Sequence, residues 1–131
     1  LTGNVLFHGI QVKPGMPTML SVVEDIPVLS LSGNPFAVAA LFELLVGGYL
    51  ADRAEEVYIQ KKETKVLRQT FVKTGKPKRI VKGKCDEEGV FLPQIQRNGQ
   101  LKNGIGSNCL VVFPEGERTY PEGEKVQVIR I

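Results

Sequence analysis

The sequence is poor in the residues that build metal centres and disulfide frameworks. Its 131 residues include two cysteines, Cys85 and Cys109, and one histidine, His8. The cysteines show no metal-ligand spacing, which argues against both a zinc site and a disulfide framework. His8 lies in an apolar run, where a hydrogen-bonded core or rim histidine is more common than a catalytic one. We therefore expect no metal ligands in this chain, reduced thiols and a cytoplasmic protein.

Long hydrophobic segments and a leader peptide are also missing. No apolar run reaches the roughly 18 residues that a membrane-spanning helix needs. The chain opens with Leu-Thr-Gly-Asn, without the basic patch and apolar core of a signal peptide. There is no initiator Met, and the first residues have the pattern of a β-strand that continues from an earlier part of a chain. We expect no membrane contact, and we expect the chain to be part of a longer protein.

Charge is distributed unevenly along an otherwise ordinary globular composition, with 42% hydrophobic and 24% charged residues. Residues 53–84 contain eleven basic and three acidic residues, a charge of +8, whereas the rest carries −5, giving +3 overall. This pattern fits either a nucleic-acid-binding surface or a solvated surface. Tyr58 and Phe71 are the only aromatics in the basic stretch. Nucleic-acid binding is therefore disfavoured, because base-stacking platforms usually need more.

The first 53 residues predict the end of an α/β sheet. Apolar runs bounded by breakers predict three strands at residues 5–10, 19–23 and 27–31, the first buried and the third central. Residues 11–17 contain two prolines and a glycine, which predict a fixed loop. Asn34 and Pro35 are suited to the N-cap and first position of a helix. That helix should cover residues 36–49, be largely buried and end at Gly47-Gly48.

The character changes near residue 53, where we place a domain boundary between residues 1–53 and 54–131. Residues 53–62 fit either a helical turn or a strand. Further strands are predicted at residues 65–72, 79–84, 90–92, 109–113 and 125–131, the fourth buried and the last at an edge or the chain's end. Residues 73–77 and 86–89 have the composition of hairpin connections. Short strands at this density predict a small all-β domain, either a barrel or a sandwich.

Two loops carry the residues best suited to binding an anion. They are Lys13-Pro14-Gly15 and Ser32-Gly33-Asn34-Pro35. The predicted strands between them allow both loops to lie at one edge of the sheet, and the second loop leads into a helix N-terminus, which favours anions. Lys13 would add a positive charge, and Gly33 would allow close approach of the backbone. Asn34 either contacts a ligand or only caps the helix, and a turn with no ligand remains an equal alternative.

These motifs resemble the molybdopterin molybdenumtransferase family. The similar pattern is a strand, Lys-Pro-Gly-x-Pro at residues 13–17, a hairpin, and Gly-Asn-Pro at residues 33–35 before an apolar helix. Downstream, residues 79–83, 107–110 and 114–116 resemble the family's C-terminal β-barrel in the expected order. The resemblance covers nearly the whole chain. It implies the end of a three-layer α/β molybdenum-cofactor-binding domain followed by a small β-barrel.

The resemblance also implies a function. Family members insert molybdenum from molybdate into adenylylated molybdopterin with a divalent cation, usually Mg²⁺, and act as homodimers. Both loops would line the pterin or molybdate pocket, and Ser107 and Asn108 would approach the partner's site, although turn formation also explains these two. The Mg²⁺ ligands would lie upstream of Leu1. Met16 and Ser32 stand where the family commonly has Lys and Pro, which favours an alternative: a non-catalytic scaffold that binds a pterin or a protein.

Overall fold

The computed structural model describes residues 3–53, 61–93 and 106–131. Within these ranges the chain is mostly β-strand, with one helical region between the first strands and the rest. The described strands form three sheets, of three, two and six strands. The finer expectation of an α/β layer followed by a barrel, divided near residue 53, stays a prediction.

The first sheet is an antiparallel meander of β1 (Asn4–His8), β3 (Met19–Val23) and β4 (Ile26–Ser30). The bounds of β3 are as predicted, and Glu24 and Asp25 form the turn with positive φ. Two expectations were wrong. The strand β3 is central rather than β4, and β1 is exposed along its whole length rather than buried. Apolar runs mark a strand, but what covers it depends on tertiary contacts.

The helical region is longer than predicted. Asn34 caps α1 (Pro35–Leu41), which continues as a π-helical segment (Phe42–Gly47) and then as α2 (Gly48–Arg53). The two glycines therefore do not end the helix. Burial is also one-sided, since Ala37, Ala40 and Leu41 are buried while Val38, Phe42 and Tyr49 are exposed. The expectation of burial nearly all round was wrong, because only one face meets the sheet.

The largest sheet is built around three long strands. They are β7 (Lys78–Cys85), β9 (Cys109–Phe113) and β11 (Lys125–Arg130). Three shorter strands complete it: β5 (Lys62–Val66), β8 (Val90–Phe91) and the two-residue β2 (Val12–Lys13). The strand order is β2-β7-β9-β11-β5, and β8 pairs with β7. The predicted strand at residues 109–113 is confirmed, and all five of its residues are buried. Of the two alternatives for residues 125–131, the final strand is confirmed and the edge strand is wrong, because β11 is the last strand in the sequence but lies between β9 and β5. Of the undecided residues 53–62, positions 54–60 lie outside the described residues.

A two-stranded ribbon covers one end of this sheet. It pairs β6 (Phe71–Lys73) with β10 (Arg118–Tyr120). The strand β10 was not predicted, because the sequence around it is rich in turn residues. The predicted strand at residues 65–72 is thus divided between β5 and β6. Residues 73–77 do not connect a hairpin, because β6 pairs with β10 whereas β7 pairs with β2, β8 and β9. Residues 86–89 do connect the antiparallel pair β7 and β8, as predicted.

The largest sheet has a buried cluster on each face. We call one the core face: Val81, Val111, Phe113 and Val128 lie there with Phe71 and Tyr120 of the ribbon. The other is the helix face, where Ile80, Leu110, Val112 and Ile129 pack with Phe36, Ala40 and Leu44. Side chains alternate between the faces along each strand, as the two-residue period requires. The helical region therefore rests on the sheet that β2 joins, and this arrangement positions the first predicted loop.

Candidate functional site

The loop containing Lys13, Pro14 and Gly15 is held firmly in place. Thr18, which is fully buried, donates from Oγ1 to the Gly15 carbonyl at 2.7 Å, and its own N–H donates to the same oxygen at 3.1 Å. The Ile10 N–H donates to the Met16 carbonyl at 2.8 Å. These bonds leave Gly15 buried while Lys13 remains exposed. Residues 14–17 form the fixed loop that was predicted, but Val12 and Lys13 form the short strand β2, so the expected loop over residues 11–17 was wrong at these two positions. The Lys13 side chain is open to solvent.

Gly15 brings this loop against the helix. Its φ is +113°, and a Cβ there would lie 2.2 Å from Cδ1 of Leu41. Only glycine permits both this backbone conformation and this approach. Leu41 is the last residue of α1, about 9 Å along the helix axis from Pro35 at a rise of 1.5 Å per residue. The first loop therefore packs beside the far end of the helix that the second loop begins.

The turn containing Ser32, Gly33, Asn34 and Pro35 forms the helix cap that was predicted. The Asn34 Oδ1 accepts hydrogen bonds from the Phe36 and Ala37 N–H groups at 2.9 and 3.3 Å. The Asn34 N–H in turn donates to Ser32 Oγ at 3.4 Å. Gly33 is exposed, and a Cβ added to it would have no atom within 4 Å. The Asn34 oxygen is thus engaged in capping, and the space above Gly33 is open.

Arg79 is the site residue that sequence reasoning missed. Lys13 and Arg79 are register partners in the parallel pair of β2 and β7. Neighbouring strands lie about 4.8 Å apart, and paired residues project from the same face. Since Arg79 also pairs with Phe113, both basic residues leave the sheet on its core face. No sequence signal marks this pairing, because β2 is only two residues long and its partner lies 66 positions away.

The two basic residues differ in how they are held. The Arg79 Nη2 donates to the Thr74 carbonyl at 2.9 Å, which fixes one end of the guanidinium. The Lys13 side chain makes no hydrogen bond or ion pair with any residue that the structure describes. Arginine presents five donors in a planar fork and lysine a compact, mobile charge, and the two together suit a multiply charged oxyanion.

Four other basic residues between positions 53 and 84 are engaged elsewhere. Lys65 lies 3.7 Å from the Glu63 carboxylate and also donates to the Asp86 carbonyl. Arg68 pairs with Glu88 at 3.6 Å, and Lys73 is buried. The Lys82 ammonium lies 4.7 Å from the ring centroid of Phe36 on the helix face. The charge of residues 53–84 is therefore distributed over several sides of the sheet rather than gathered in one strip.

The remaining candidates have structural roles. Asn108 donates to the Cys85 carbonyl at 2.9 Å and accepts from the Cys85 N–H at 2.7 Å, so it acts as a clasp at the end of β7. Asp86 Oδ1 accepts from the Glu88 and Gly89 N–H groups, as an exposed hairpin tip does. His8 lies on the exposed strand β1. Ser107 is half-buried before β9, and no described contact assigns it to a site.

Both cysteines are free and buried. Burial, and then the neighbouring Cys85, raise the pKa of the Cys109 thiol from 9.0 to about 12. A thiol with such a pKa stays protonated at neutral pH and is a poor nucleophile or metal ligand, because the thiolate is the reactive form. In this environment the two cysteines act as small apolar residues that fill the core.

A shallow groove of about 240 Å³ lies apart from the predicted loops, lined by residues that include Lys78, Pro114, Arg118 and Lys125. Arg118 is bonded to Glu124, which raises the pKa of its guanidinium. Across the described residues, no three His, Cys, Asp or Glu side chains converge as a metal site would require. Nor is any described helix long and apolar enough to cross a membrane.

The chain is similar to a known family and to known proteins. Residues 66–131 match the family model for the MoeA C-terminal region (domain IV). The chain is 32% identical over 126 residues to a putative molybdopterin biosynthesis protein of Methanocaldococcus jannaschii, covering 96% of the chain and 30% of that protein. It is 28% identical over 136 residues to the molybdopterin molybdenumtransferase of Bacillus subtilis, covering 100% of the chain and 32% of that enzyme.

Solved structures agree with this comparison. The molybdopterin biosynthesis MoeA protein of Pyrococcus horikoshii superposes with a TM-score of 0.80 at 26% identity, over 98% of this chain and 33% of that one. A molybdenum cofactor biosynthesis protein of Pyrococcus furiosus gives a TM-score of 0.77 at 27% identity, over 98% and 45%. The chain thus spans about a third of the length of the curated relatives it matches. Residues, fold and relatives agree that the chain belongs to the MoeA family, of which it contains the C-terminal region.

Proposed function

We propose that the protein takes part in molybdenum cofactor biosynthesis by inserting molybdate into adenylylated molybdopterin. The observation that carries this proposal is the register pairing of Lys13 with Arg79 in a chain of the MoeA family. The family supplies the reaction class, as the name of the Bacillus subtilis relative states it. The pair supplies a place for an oxyanion at the junction between the first loop and the largest sheet.

The chemistry of the pair fits a substrate dianion. Molybdate is a tetrahedral oxyanion, and transferring its metal to a pterin needs positive charge and N–H donors placed in advance rather than a strong base. A hydrogen bond to a charged group contributes about 1.5–3 kcal/mol. Arg79, held at one end by Thr74, would fix the orientation of the oxyanion, and Lys13 would close over it. Pro14 and Gly15 would form the wall of the binding site next to Lys13.

The second loop has a different part in this proposal. Because the Asn34 oxygen is engaged in capping, Ser32, Gly33, Asn34 and Pro35 would contribute chiefly the open surface above Gly33. The basic pair lies on the core face and the helix on the other face, so the substrate would pass around β2, the strand at that end of the sheet. We place its pterin or nucleotide portion above Gly33, where no Cβ obstructs approach to the backbone. Met16 is exposed and Ser32 half-buried, so their departures from the family pattern change the rim of the pocket rather than its packing.

Three further features belong to the same proposal. The activity would require Mg²⁺, whose ligands we place outside the described residues, because these do not fit such a site. We also propose a homodimer, as implied by the family resemblance, and a cytoplasmic location, which suits two unpaired buried thiols. Finally, we retain the division near residue 53, with the qualification that β2 joins the sheet of the second part.

The test is molybdate binding, measured by isothermal titration of the chain and of three variants. Lys13→Ala and Arg79→Lys should each weaken binding by about 10- to 150-fold, the equivalent of 1.5–3 kcal/mol. Lys84→Ala, which removes an exposed lysine from the other end of β7, should leave binding unchanged. Sulfate should compete weakly if the site recognises molybdate rather than any dianion.

Three results would contradict the proposal. Unchanged molybdate affinity in Lys13→Ala would mean that Lys13 is not part of an oxyanion site. Equal losses of affinity in all three variants would mean that binding depends only on general surface charge. Molybdate binding without turnover, in a protein of the relatives' full length supplied with adenylylated molybdopterin and Mg²⁺, would favour the non-catalytic scaffold instead.

A further inference from the structure

Lys73 is a buried lysine with no carboxylate partner among the described residues. It is 1% exposed, and its ammonium donates to the Gly75 carbonyl at 2.8 Å and to the Gly116 carbonyl at 2.6 Å. Lysine is almost never fully buried unless it is paired, because burying its charge costs several kcal/mol. Two carbonyl dipoles are a small compensation for that cost. The position therefore calls for an explanation beyond filling the core.

The contacts of Lys73 tie two loops together. Gly75 follows β6, and Gly116 lies in the turn before β10. The Gly116 N–H donates back to the Lys76 carbonyl at 2.8 Å, and the Gly75 N–H donates to Glu117 Oε1 at 3.1 Å. The Lys73 ammonium thus holds one carbonyl from each loop, and the backbone bonds around it complete a clasp between residues 74–77 and 115–117.

This clasp determines where Arg79 is held. The Thr74 carbonyl that accepts from Arg79 Nη2 belongs to the residue between Lys73 and Gly75. A Cβ at Gly75 would lie 3.8 Å from the same Nη2, so the guanidinium rests directly on the clasped loop. Arg79 is in turn the register partner of Lys13. A continuous series of contacts leads from the buried ammonium to the proposed oxyanion site.

We propose that Lys73 is a positioning residue that orients Arg79 for the oxyanion. It touches no substrate and acts by fixing the Thr74 carbonyl to which the guanidinium is bonded. The inference rests on the proposed function only for the identity of the ligand, an oxyanion, that Arg79 would bind. The orientation of Arg79 is a property of the free protein, and it can be measured without any ligand.

The first experiment is ligand-free. We would measure ¹⁵N relaxation of the Arg79 Nε–H group in the chain and in Lys73→Met, which keeps the length of the side chain but removes its donors. The Arg79 order parameter should fall below about 0.6, the range of flexible groups. Lys65→Met is the matched control, since Lys65 also donates to a backbone carbonyl, that of Asp86, but on another loop. It should leave the Arg79 signal unchanged.

A second variant keeps the proposal testable if Lys73→Met does not fold. Glu117→Gln weakens the bond to the Gly75 N–H while leaving Lys73 in place, and it should loosen Arg79 in the same direction but less. An Arg79 signal that stays rigid in every folded variant would overturn the proposal.

The second experiment is a double-mutant cycle with molybdate as the probe. Lys73→Met should weaken binding by a factor similar to that of Arg79→Lys, and the double variant should lose little more, because both changes remove the same oriented group. Fully additive losses would mean that Lys73 acts through overall stability, and the positioning role would be rejected. If Arg79 loosens in Lys73→Met but the unsubstituted chain binds no molybdate, the proposed function fails while the positioning of Arg79 stands.

Discussion

Replacing Gly15 with alanine should destabilise the protein more than any other single added methyl group near the first loop. The new Cβ would lie 2.2 Å from Cδ1 and 2.9 Å from Cγ of Leu41, a fully buried side chain. Overpacking of this kind costs about 1–3 kcal/mol. The backbone adds a second penalty, since a φ of +113° is a conformation that alanine rarely adopts and that costs about 1–3 kcal/mol. We expect the free energy of unfolding to fall by about 2–6 kcal/mol, the sum of these two penalties.

The assay is urea unfolding, monitored by circular dichroism. Gly33→Ala is the matched control, because nothing lies within 4 Å of its Cβ position and its φ is not positive. It should change stability by less than about 0.5 kcal/mol, as surface substitutions usually do. Equal free energies of unfolding for Gly15→Ala and Gly33→Ala would refute the reasoning.

A third variant separates the two penalties. Leu41→Ala alone should cost about 2–5 kcal/mol through the cavity it leaves. In that background, Gly15→Ala no longer meets the leucine side chain and should cost only the backbone penalty of about 1–3 kcal/mol. If Gly15→Ala costs the same with and without Leu41, the contact between loop and helix is not what makes glycine necessary there.

Three smaller predictions concern the Asn34 helix cap, the hydrogen bonds of Asn108 and the Cys109 thiol. Asn34→Ala should lower the free energy of unfolding by about 1 kcal/mol, whereas Asn34→Asp should retain most of it, as thermal unfolding would show. Asn108→Ala breaks both bonds to the Cys85 backbone and should cost about 1–3 kcal/mol in urea unfolding, with a loss near zero as the contrary result. Because the pKa of Cys109 is raised from 9.0 to about 12, the folded state keeps a proton that the unfolded state releases. The resulting stability is complete below pH 9.0 and is lost as the pH rises towards about 12. Urea unfolding along that range should show this decline, and Cys109→Ala should make it shallower, whereas an equal slope in both proteins would contradict the assignment.

Local features of the site could be read directly from the residues. Asn34 and Pro35 begin α1 as predicted, because capping depends on neighbours two and three positions away in the chain. The positions of β3 and β9 followed from apolar runs bounded by turn residues. The hairpin at residues 86–89 followed from its own turn chemistry. Each of these features is determined over a few residues, so no knowledge of the fold was needed.

Burial and strand order could not be read in the same way. The apolar residues of β1 predicted a buried strand, yet Val5 and Leu6 are 57% and 61% exposed. The alternating pattern of β11 allowed an edge strand or the final strand; it is the final strand, but it lies between β9 and β5 rather than at an edge. An alternating strand has one apolar and one polar face at any position in an antiparallel sheet, so the pattern alone does not distinguish an edge from an interior strand.

The sequence by itself determined the loops, the helix cap, most strands and, through its motifs, the family. The tertiary structure alone decided that Lys13 meets Arg79, that Gly15 rests on Leu41 and that Lys73 joins two loops from within the core. These contacts link residues 26 to 66 positions apart, and they depend on strand register and on which faces pack together. Short-range propensities carry no information about such pairings, because strand register and the packing of faces are selected by apolar burial between segments that are distant in the sequence.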